Sequence, residues 1–161
     1  MTQQQATGGS LLMDCLIGLG AYKGFGVPGE SYLAVLDAMY DRADKFELIL
    51  CRHEGGAAYM AEAWGKLTGT PGICFVTRGP GATNASIGIH TAMQNSSPML
   101  VFVGQVGTDM RGREAFQEID YTHYFGKVAK WVCEIDDADR IPELIARAWT
   151  TALSGRPGPV I

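Results

Sequence analysis

The sequence predicts an α/β protein, a three-layer open, mostly parallel sheet with helices on both faces. Three observations predict it. Short apolar runs alternate with helical stretches along the chain. The runs GICFVT (72–77) and PMLVFVGQ (98–105) are continuously apolar, as strands are when both faces are covered. The stretches richest in chemistry, GVPGES, RHEGG, TRGPGATN and GQVGTDMRGREAFQE, follow strand-like runs, where parallel sheets place their ligands.

Each element follows in order. Ser10 to Leu19 reads as a helix with Ser10 as its N-cap. Tyr22 to Val27 is a short strand ending in GVPG. Tyr32 to Tyr40 is helical, with Leu33, Leu36 and Tyr40 on one face. Phe46 to Cys51 is a strand and Glu54 to Leu67 a helix. After the strand at 72–77 comes a helix from Gly81 to Gln94, then the strand at 98–105. Residues 107 to 126 are polar and irregular. KVAKWVCEI (127–135) reads as a strand, Asp139 to Leu153 as a helix, and GPVI as the start of one more strand. A domain rarely stops where a strand begins, so the sequence reads as a piece of a longer protein.

Composition narrows the classes. A length of 161 residues suits one domain, and 47% hydrophobic against 19% charged residues is enough for one core and too apolar for disorder. The net charge is −4 with no basic run, which argues against nucleic acid and an anionic membrane as partners. Cys15, Cys51, Cys74 and Cys133 are far apart and form no Cys-x-x-Cys pair, so they read as small buried residues. The start, MTQQQATGG, lacks the basic and apolar regions of a secretion signal. No apolar run reaches the roughly 18 residues of a membrane span. A cytoplasmic protein is expected.

Glu54 is the residue to explain. It precedes Ala57 by three positions and Ala58 by four, so it heads a helix face of small apolar residues. It reads either as a glutamate that stabilises the first turn through the helix dipole or as a carboxylate placed for chemistry. Gly55 and Gly56 form a first turn poorly, and make sense where something approaches the backbone closely. His53 reads as structural and Arg52 as a partner for a local carboxylate. In TRGPGATN, Gly79 and Gly81 match the first two glycines of a dinucleotide fingerprint, but Asn84 stands in place of the third, which leaves a weak Rossmann signal. Asn84 falls inside the next helix, and a buried Asn there needs partners. In REAFQE (113–118), Phe116 and Gln117 read either as a solvated loop or as an aromatic with an amide at a pocket mouth. Asp136, Asp137 and Asp139 read as the acidic start of the last helix rather than a metal site.

Together FGVPG (25–29), RHEGGAAYMAEAWGKLTGTPGICFVTRGPGATN (52–84), GQV (104–106), AFQE.D (115–120) and SGRPGPV (154–160) resemble the N-terminal, pyrimidine-binding domain of thiamine-diphosphate-dependent enzymes, in the branch containing acetolactate synthase. The pieces run in the family's order and cover nearly the whole chain, so residues 1–161 are expected to form that one domain. The resemblance implies that Glu54 hydrogen-bonds N1′ of the cofactor's aminopyrimidine. A proton shared there favours the 4′-imino tautomer, which removes the proton from C2 of the thiazolium ring and so prepares attack on a 2-keto acid. It implies cofactor contacts from Pro28, Gly29 and Asn84, and a substrate pocket of Glu30, Phe116 and Gln117, with Gln117 also catalytic. The cofactor implied is thiamine diphosphate with Mg2+. The Gly-Asp-Gly…Asn motif that holds the metal and diphosphate is not in this sequence, so those ligands are expected outside the chain, and no metal site inside it. FAD is possible in a full-length protein through a middle domain. A homodimer or homotetramer is expected, its active site shared with the C-terminal domain of another subunit.

The chain departs from the acetolactate synthase pattern in places. Glu30 and Ser31 stand where those enzymes usually have Gly-Ala, Arg78 replaces the Ser of TSGPG, Gly107 follows GQV where Pro is common, and Ala63 to Lys66 replace Gly-Tyr-Ala-Arg. The expected activity is decarboxylation or carboligation of 2-keto acids. Another thiamine-diphosphate decarboxylase or lyase, or a catalytically silent assembly or regulatory domain, remains the alternative.

Overall fold

Five parallel strands form one sheet in the order β2-β1-β3-β4-β5, with β1 at Lys23–Gly26, β2 at Glu47–Leu50, β3 at Gly72–Val76, β4 at Met99–Val103 and β5 at Pro159–Val160. The coordinates are a computed structural model that describes residues 6–161, so the first five residues of the polar start lie outside the described residues. All five strands run the same way, so their carboxyl ends share one edge. From β1 the chain reaches β2 on one side and β3 on the other. The loops after β1 and β3 therefore diverge at a switch point, the usual place for a ligand crevice.

Helices cover both faces, as the sequence predicts. On one face pack α1 (Gly8–Gly18), α2 (Leu33–Tyr40) and α6 (Ile141–Leu153); on the other α3 (Glu54–Thr68), α4 (Pro80–Asn95) and the short α5 (Tyr121–Phe125). The apolar run of β3 divides between them. Ile73 and Phe75 join the first core, Cys74 and Val76 the second, because alternate side chains leave opposite faces of a strand. Every residue of β3 is buried, which explains why its sequence does not alternate.

The second core is tight because α3 and α4 are built from small residues. A Cβ added at Gly88 would stand 2.6 Å from the Cβ of Ala58. One added at Gly72 would lie 1.8 Å from the carbonyl of Ala61, and one at Gly65 would lie 2.1 Å from that of Pro98. Ala57, Ala58 and Ala61 are fully buried. Glu62, the one buried carboxylate among the described residues, accepts hydrogen bonds from Asn95 Nδ2 (3.0 Å) and Ser97 Oγ (2.7 Å) and ties α3 to the end of α4.

Four local expectations change. The N-cap of α1 is Thr7, whose Oγ1 accepts the Ser10 N–H at 3.1 Å, and the helix starts before Ser10. In α2 the face of Leu33 and Tyr40 turns outward, at 61% and 82% exposure, because the helix is entered through a 3-10 turn at Glu30–Tyr32 and buries Ala38 and Met39 instead. The stretch 107–126 is not wholly irregular: it contains a 3-10 turn at Thr108–Met110 and α5, capped by Asp120 Oδ1 on the His123 N–H at 3.0 Å. Residues 127–135 form no strand. The amides of Val128 and Ala129 turn back to the Phe125 carbonyl, and residues 130–133 meet β5 in a single parallel bridge, Trp131 to Val160. It is flanked by the bonds Lys130 N–H to the Pro159 carbonyl (2.8 Å), Ile161 N–H to the Trp131 carbonyl (3.0 Å) and Cys133 N–H to the Ile161 carbonyl (2.9 Å).

The four cysteines are free, but only Cys74 is buried as expected; Cys15, Cys51 and Cys133 are partly exposed, the first two at the margins of the two cores. Among the described residues no helix is long and apolar enough to cross a membrane.

Candidate functional site

The loaded loops meet where the sheet diverges. The chain leaves β2 at Leu50, turns through three residues and enters α3 at Glu54. His53 is the N-cap: its Nδ1 accepts the Gly55 N–H at 3.0 Å, so its role is structural, as its sequence suggests. Arg52 is exposed and, among the described residues, makes no ion pair, contrary to expectation.

Glu54 sits half-buried in the first turn of α3. Its Oε2 accepts a hydrogen bond from Asn84 Nδ2 at 2.9 Å, which joins the first turn of α3 to the second turn of α4. Asn84 is exposed rather than buried, and its partner is this carboxylate. Among the described residues Oε1 accepts no hydrogen bond from the protein. The adjoining glycines differ. A Cβ at Gly55 would stand 3.0 Å from His53 Nδ1 and 3.3 Å from the Asn84 carbonyl, so Gly55 serves the cap and the helix crossing. A Cβ at Gly56 would meet nothing within 4 Å. Gly56 has no packing reason inside the chain, and the space beside it is open. An oriented carboxylate with one free oxygen, next to open backbone, fits a flat ring that offers a nitrogen.

Thr77 and Ser31 lock the loops around that carboxylate. Ser31 Oγ and Thr77 Oγ1 lie 2.8 Å apart, and Ser31 Oγ also accepts the Arg78 N–H at 3.2 Å. A Cβ at Gly29 would stand 2.5 Å from Thr77 Cβ, and one at Gly104 would lie 1.9 Å from Ser31 Oγ. Gly29 is therefore required by packing on Thr77, while Pro28 beside it is exposed. Gly81 closes the set, since its Cβ would lie 2.8 Å from Thr77 Cγ2 and 3.4 Å from Glu54 Oε1. Gly29, Glu54 and Asn84 are thus linked through Thr77 and Gly81, with Pro28 next to Gly29 in the chain. Sequence reasoning missed the roles of Ser31 and Thr77; the available signal was a hydroxyl residue in each of two connections, one five residues beyond β1 and one just past β3.

The 113–118 loop meets the same turn at a different point. Gly79 has φ +54°, a region suited to glycine, and a Cβ there would lie 2.8 Å from Gln117 Cβ. Gly79 N–H donates to the Tyr121 hydroxyl at 2.8 Å, and burial pushes that phenol's pKa up. The two glycines read as half a dinucleotide fingerprint thus serve internal packing. Gln117 itself has φ +64° and Glu114 φ +54°, conformations that cost a non-glycine residue about 1 kcal/mol or more and persist only when the surroundings impose them. Those surroundings are visible. Glu118 accepts the Gly112 N–H (2.6 Å) and the Ala115 N–H (3.2 Å), and these donors, Gly112 first, hold its carboxyl below the usual range. Arg78 Nε donates to the Phe116 carbonyl at 3.0 Å, and Arg78 Nη2 to Glu30 Oε1 at 2.7 Å. Phe116 is 72% exposed, with the Arg78 guanidinium 6.0 Å from its ring centre. Gln105 of GQV donates to the Ile119 carbonyl at 3.0 Å and steadies the far end.

The structure therefore brings Glu54 and Asn84 together, and Glu30, Phe116 and Gln117 together, at two points of the single loop 77–81. A cavity of about 350 Å³ opens behind these loops beside Ser31, Gly104 and Tyr121, and its walls include none of Glu54, Asn84, Phe116 and Gln117. The patch itself is an open surface, the form of one wall of a cleft. Among the described residues no group of three or more His, Cys, Asp or Glu is placed to hold a metal, and Asp137 instead caps the turn before α6 through the Asp139 N–H.

A family model described as "Thiamine pyrophosphate enzyme, N-terminal TPP binding domain" matches residues 6–124. The chain is 41% identical over 155 residues to the mitochondrial acetolactate synthase catalytic subunit of Aspergillus candidus, covering 96% of this chain and 22% of that protein. It is 38% identical over 151 residues to the acetolactate synthase of Bacillus subtilis (94% and 26% covered). It is 38% identical over 158 residues to the acetolactate synthase isozyme 3 large subunit of Escherichia coli (98% and 27% covered). The chain spans about a quarter of the length of these relatives.

Proposed function

Given that the chain belongs to the thiamine pyrophosphate enzymes, through their N-terminal TPP binding domain, we propose that it supplies the pyrimidine side of an active site that decarboxylates or joins 2-keto acids in the manner of an acetolactate synthase. The observation that carries this reading is the Glu54 carboxylate, held by Asn84 on one oxygen and free on the other, beside the open backbone of Gly56. Thiamine diphosphate, when bound, supplies a carbon nucleophile at C2 and a ring that accepts the electrons released with CO2.

This chain's residues prepare that chemistry. Glu54 Oε1 holds and moves the proton at N1′ of the aminopyrimidine. Asn84 fixes the carboxylate's orientation, so the free oxygen faces the ring without a search through rotamers. Gly56 lets the ring lie close to α3. Pro28 and Gly29 border the ring, with Gly29 fixed on Thr77. Gln117, Phe116 and Glu30 line the substrate side, where Gln117 offers a donor and an acceptor to a keto acid and Phe116 excludes water.

The open surface of the patch supports a second wall from outside the chain. In this reading the chain is the N-terminal domain of a longer enzyme, and the Mg2+ and diphosphate ligands come from the C-terminal domain of another subunit in a homodimer or homotetramer. FAD in a middle domain and a cytoplasmic location belong to the same proposal.

Calorimetry with thiamine diphosphate and magnesium at neutral pH tests the half-site. The 161-residue chain alone is expected to bind weakly or not at all, and the complete enzyme tightly and with turnover of 2-keto acids. Micromolar binding by the isolated monomer contradicts the shared site, and a complete enzyme inert to every keto acid contradicts the activity.

A further inference from the structure

Arg78 bridges the three loops that border the substrate side. Its backbone N–H reaches Ser31 Oγ, its Nη2 reaches Glu30 in the loop after β1, and its Nε reaches the Phe116 carbonyl, the peptide group that leads into Gln117. The side chain is 13% exposed although it is cationic, whereas that of Glu30 is 71% exposed. An exposed carboxylate adds little by charge alone. It does hold one arm of a planar fork, which leaves the other arm aimed at Phe116. Gln117 meanwhile keeps a left-handed φ of +64° against Gly79, a conformation that its neighbours must impose. Glu30 and Arg78 are 48 residues apart in sequence.

We propose that Arg78 is a positioning residue, with Glu30 as its counter-ion, and that it fixes the backbone of the 113–118 loop so that Gln117 faces the substrate. The pair acts as one unit: Glu30 orients the guanidinium, and the guanidinium orients the loop. The role of Gln117 toward substrate rests on the reading under "Proposed function"; the clamp on the loop does not.

The test has two arms, so each part fails separately. In the 161-residue chain, amide hydrogen exchange is followed at Gly112, Ala115 and Glu118, and NMR follows the Gln117 side-chain amide. Arg78→Ser is expected to speed exchange at these amides about tenfold, as for loss of one ordinary hydrogen bond in a local opening, and to shift the Gln117 signals, while the amides of α3 and β3 stay unchanged. Arg78→Lys keeps the charge but not the fork and is expected to behave like Arg78→Ser. Glu30→Gln is expected to produce a smaller change of the same kind. Unchanged loop exchange in Arg78→Ser, or wild-type exchange in Arg78→Lys, overturns the clamp. In the complete enzyme, Arg78→Ser is expected to lower kcat/KM alone but to add nothing in a Gln117→Ala background, since contacting residues that act as a unit are not additive. Additive losses overturn the positioning of Gln117. A complete enzyme without keto acid turnover, together with the expected loop response, supports the clamp and rejects the activity.

Discussion

The two halves of the patch are built differently. The Glu54–Asn84 pair stands near the N-terminal ends of two helices whose backbones approach through Gly55, Ala58 and Gly88. The Glu30–Arg78–Phe116–Gln117 group stands on turns and loops, two of whose non-glycine residues hold positive φ, and is fixed by side-chain bridges. Helix-mounted groups are placed by the core and resist change. Loop-mounted groups are placed by a few polar bonds that single substitutions rewrite. This division suits a site in which cofactor activation is common to many reactions while substrate choice is local.

Glu54→Gln is expected to separate chemistry from folding in the helix-mounted half. It keeps the shape and the bond from Asn84 but cannot exchange a proton. Turnover of the complete enzyme should fall about 10²–10⁴-fold, the usual cost of a lost proton-transfer group. Stability should change by less than about 1 kcal/mol, the scale of a first-turn carboxylate. Thermal denaturation beside keto acid kinetics checks both.

Gly88→Val attacks the same half through its packing. The new side chain has no room beside Ala58, so α3 and α4 must part, at a cost of about 1–3 kcal/mol or more. The Glu54–Asn84 bond should be lost with it, while the 113–118 loop keeps its amide protection. Urea unfolding with residue-resolved exchange measures this; equal loosening of both regions would show that they are not separately built.

Asn84→Ala is expected to cost less, at most about tenfold in turnover, because it removes one hydrogen bond to the half-buried carboxylate, given by an exposed side chain, and leaves the proton carrier. Asn84→Asp should be worse than Asn84→Ala, since a second carboxylate would face Glu54.

The smallest effect belongs to the loop half and depends on pH. Donors on Gly112 and Ala115 depress the carboxyl of Glu118 below its ordinary value of 4.5. Its contribution is therefore complete above that value and is lost as pH falls through the depressed folded value. The Gly112 amide resonance should stay constant above about pH 5 and move only in more acid solution, with Glu118→Gln removing the transition. A transition near neutrality would break this assignment.

The same division decides what could be read from the sequence. The three-layer fold was legible because buried parallel strands read as continuous apolar runs. Glu54 was legible because a charge at the head of an alanine stripe is costly without a reason. Both are local patterns. The bond between Ser31 and Thr77 spans 46 residues and that between Arg78 and Glu30 spans 48, and no periodicity reports a pairing across such distances. The tail of the sheet misled for another reason. KVAKWVCEI is mostly apolar and holds Val, Trp and Ile as strands do, but α5 precedes it and the Phe125 carbonyl claims the amides of Val128 and Ala129. The Asp120 cap before the aromatic run 121–125 was the signal for α5. The outward face of α2 went unread because apolar spacing marks a stripe without saying which side the core lies on.

Proton–deuterium exchange at C2 of thiamine diphosphate bound to the complete enzyme, wild type against Glu54→Gln, tests the central claim most directly. It requires no substrate and therefore does not depend on the loop half. Exchange about 10²–10⁴-fold slower in Glu54→Gln is predicted if the free oxygen of Glu54 governs the proton at N1′. Equal exchange rates would contradict the account and leave Glu54 as a residue that only stabilises the first turn of α3.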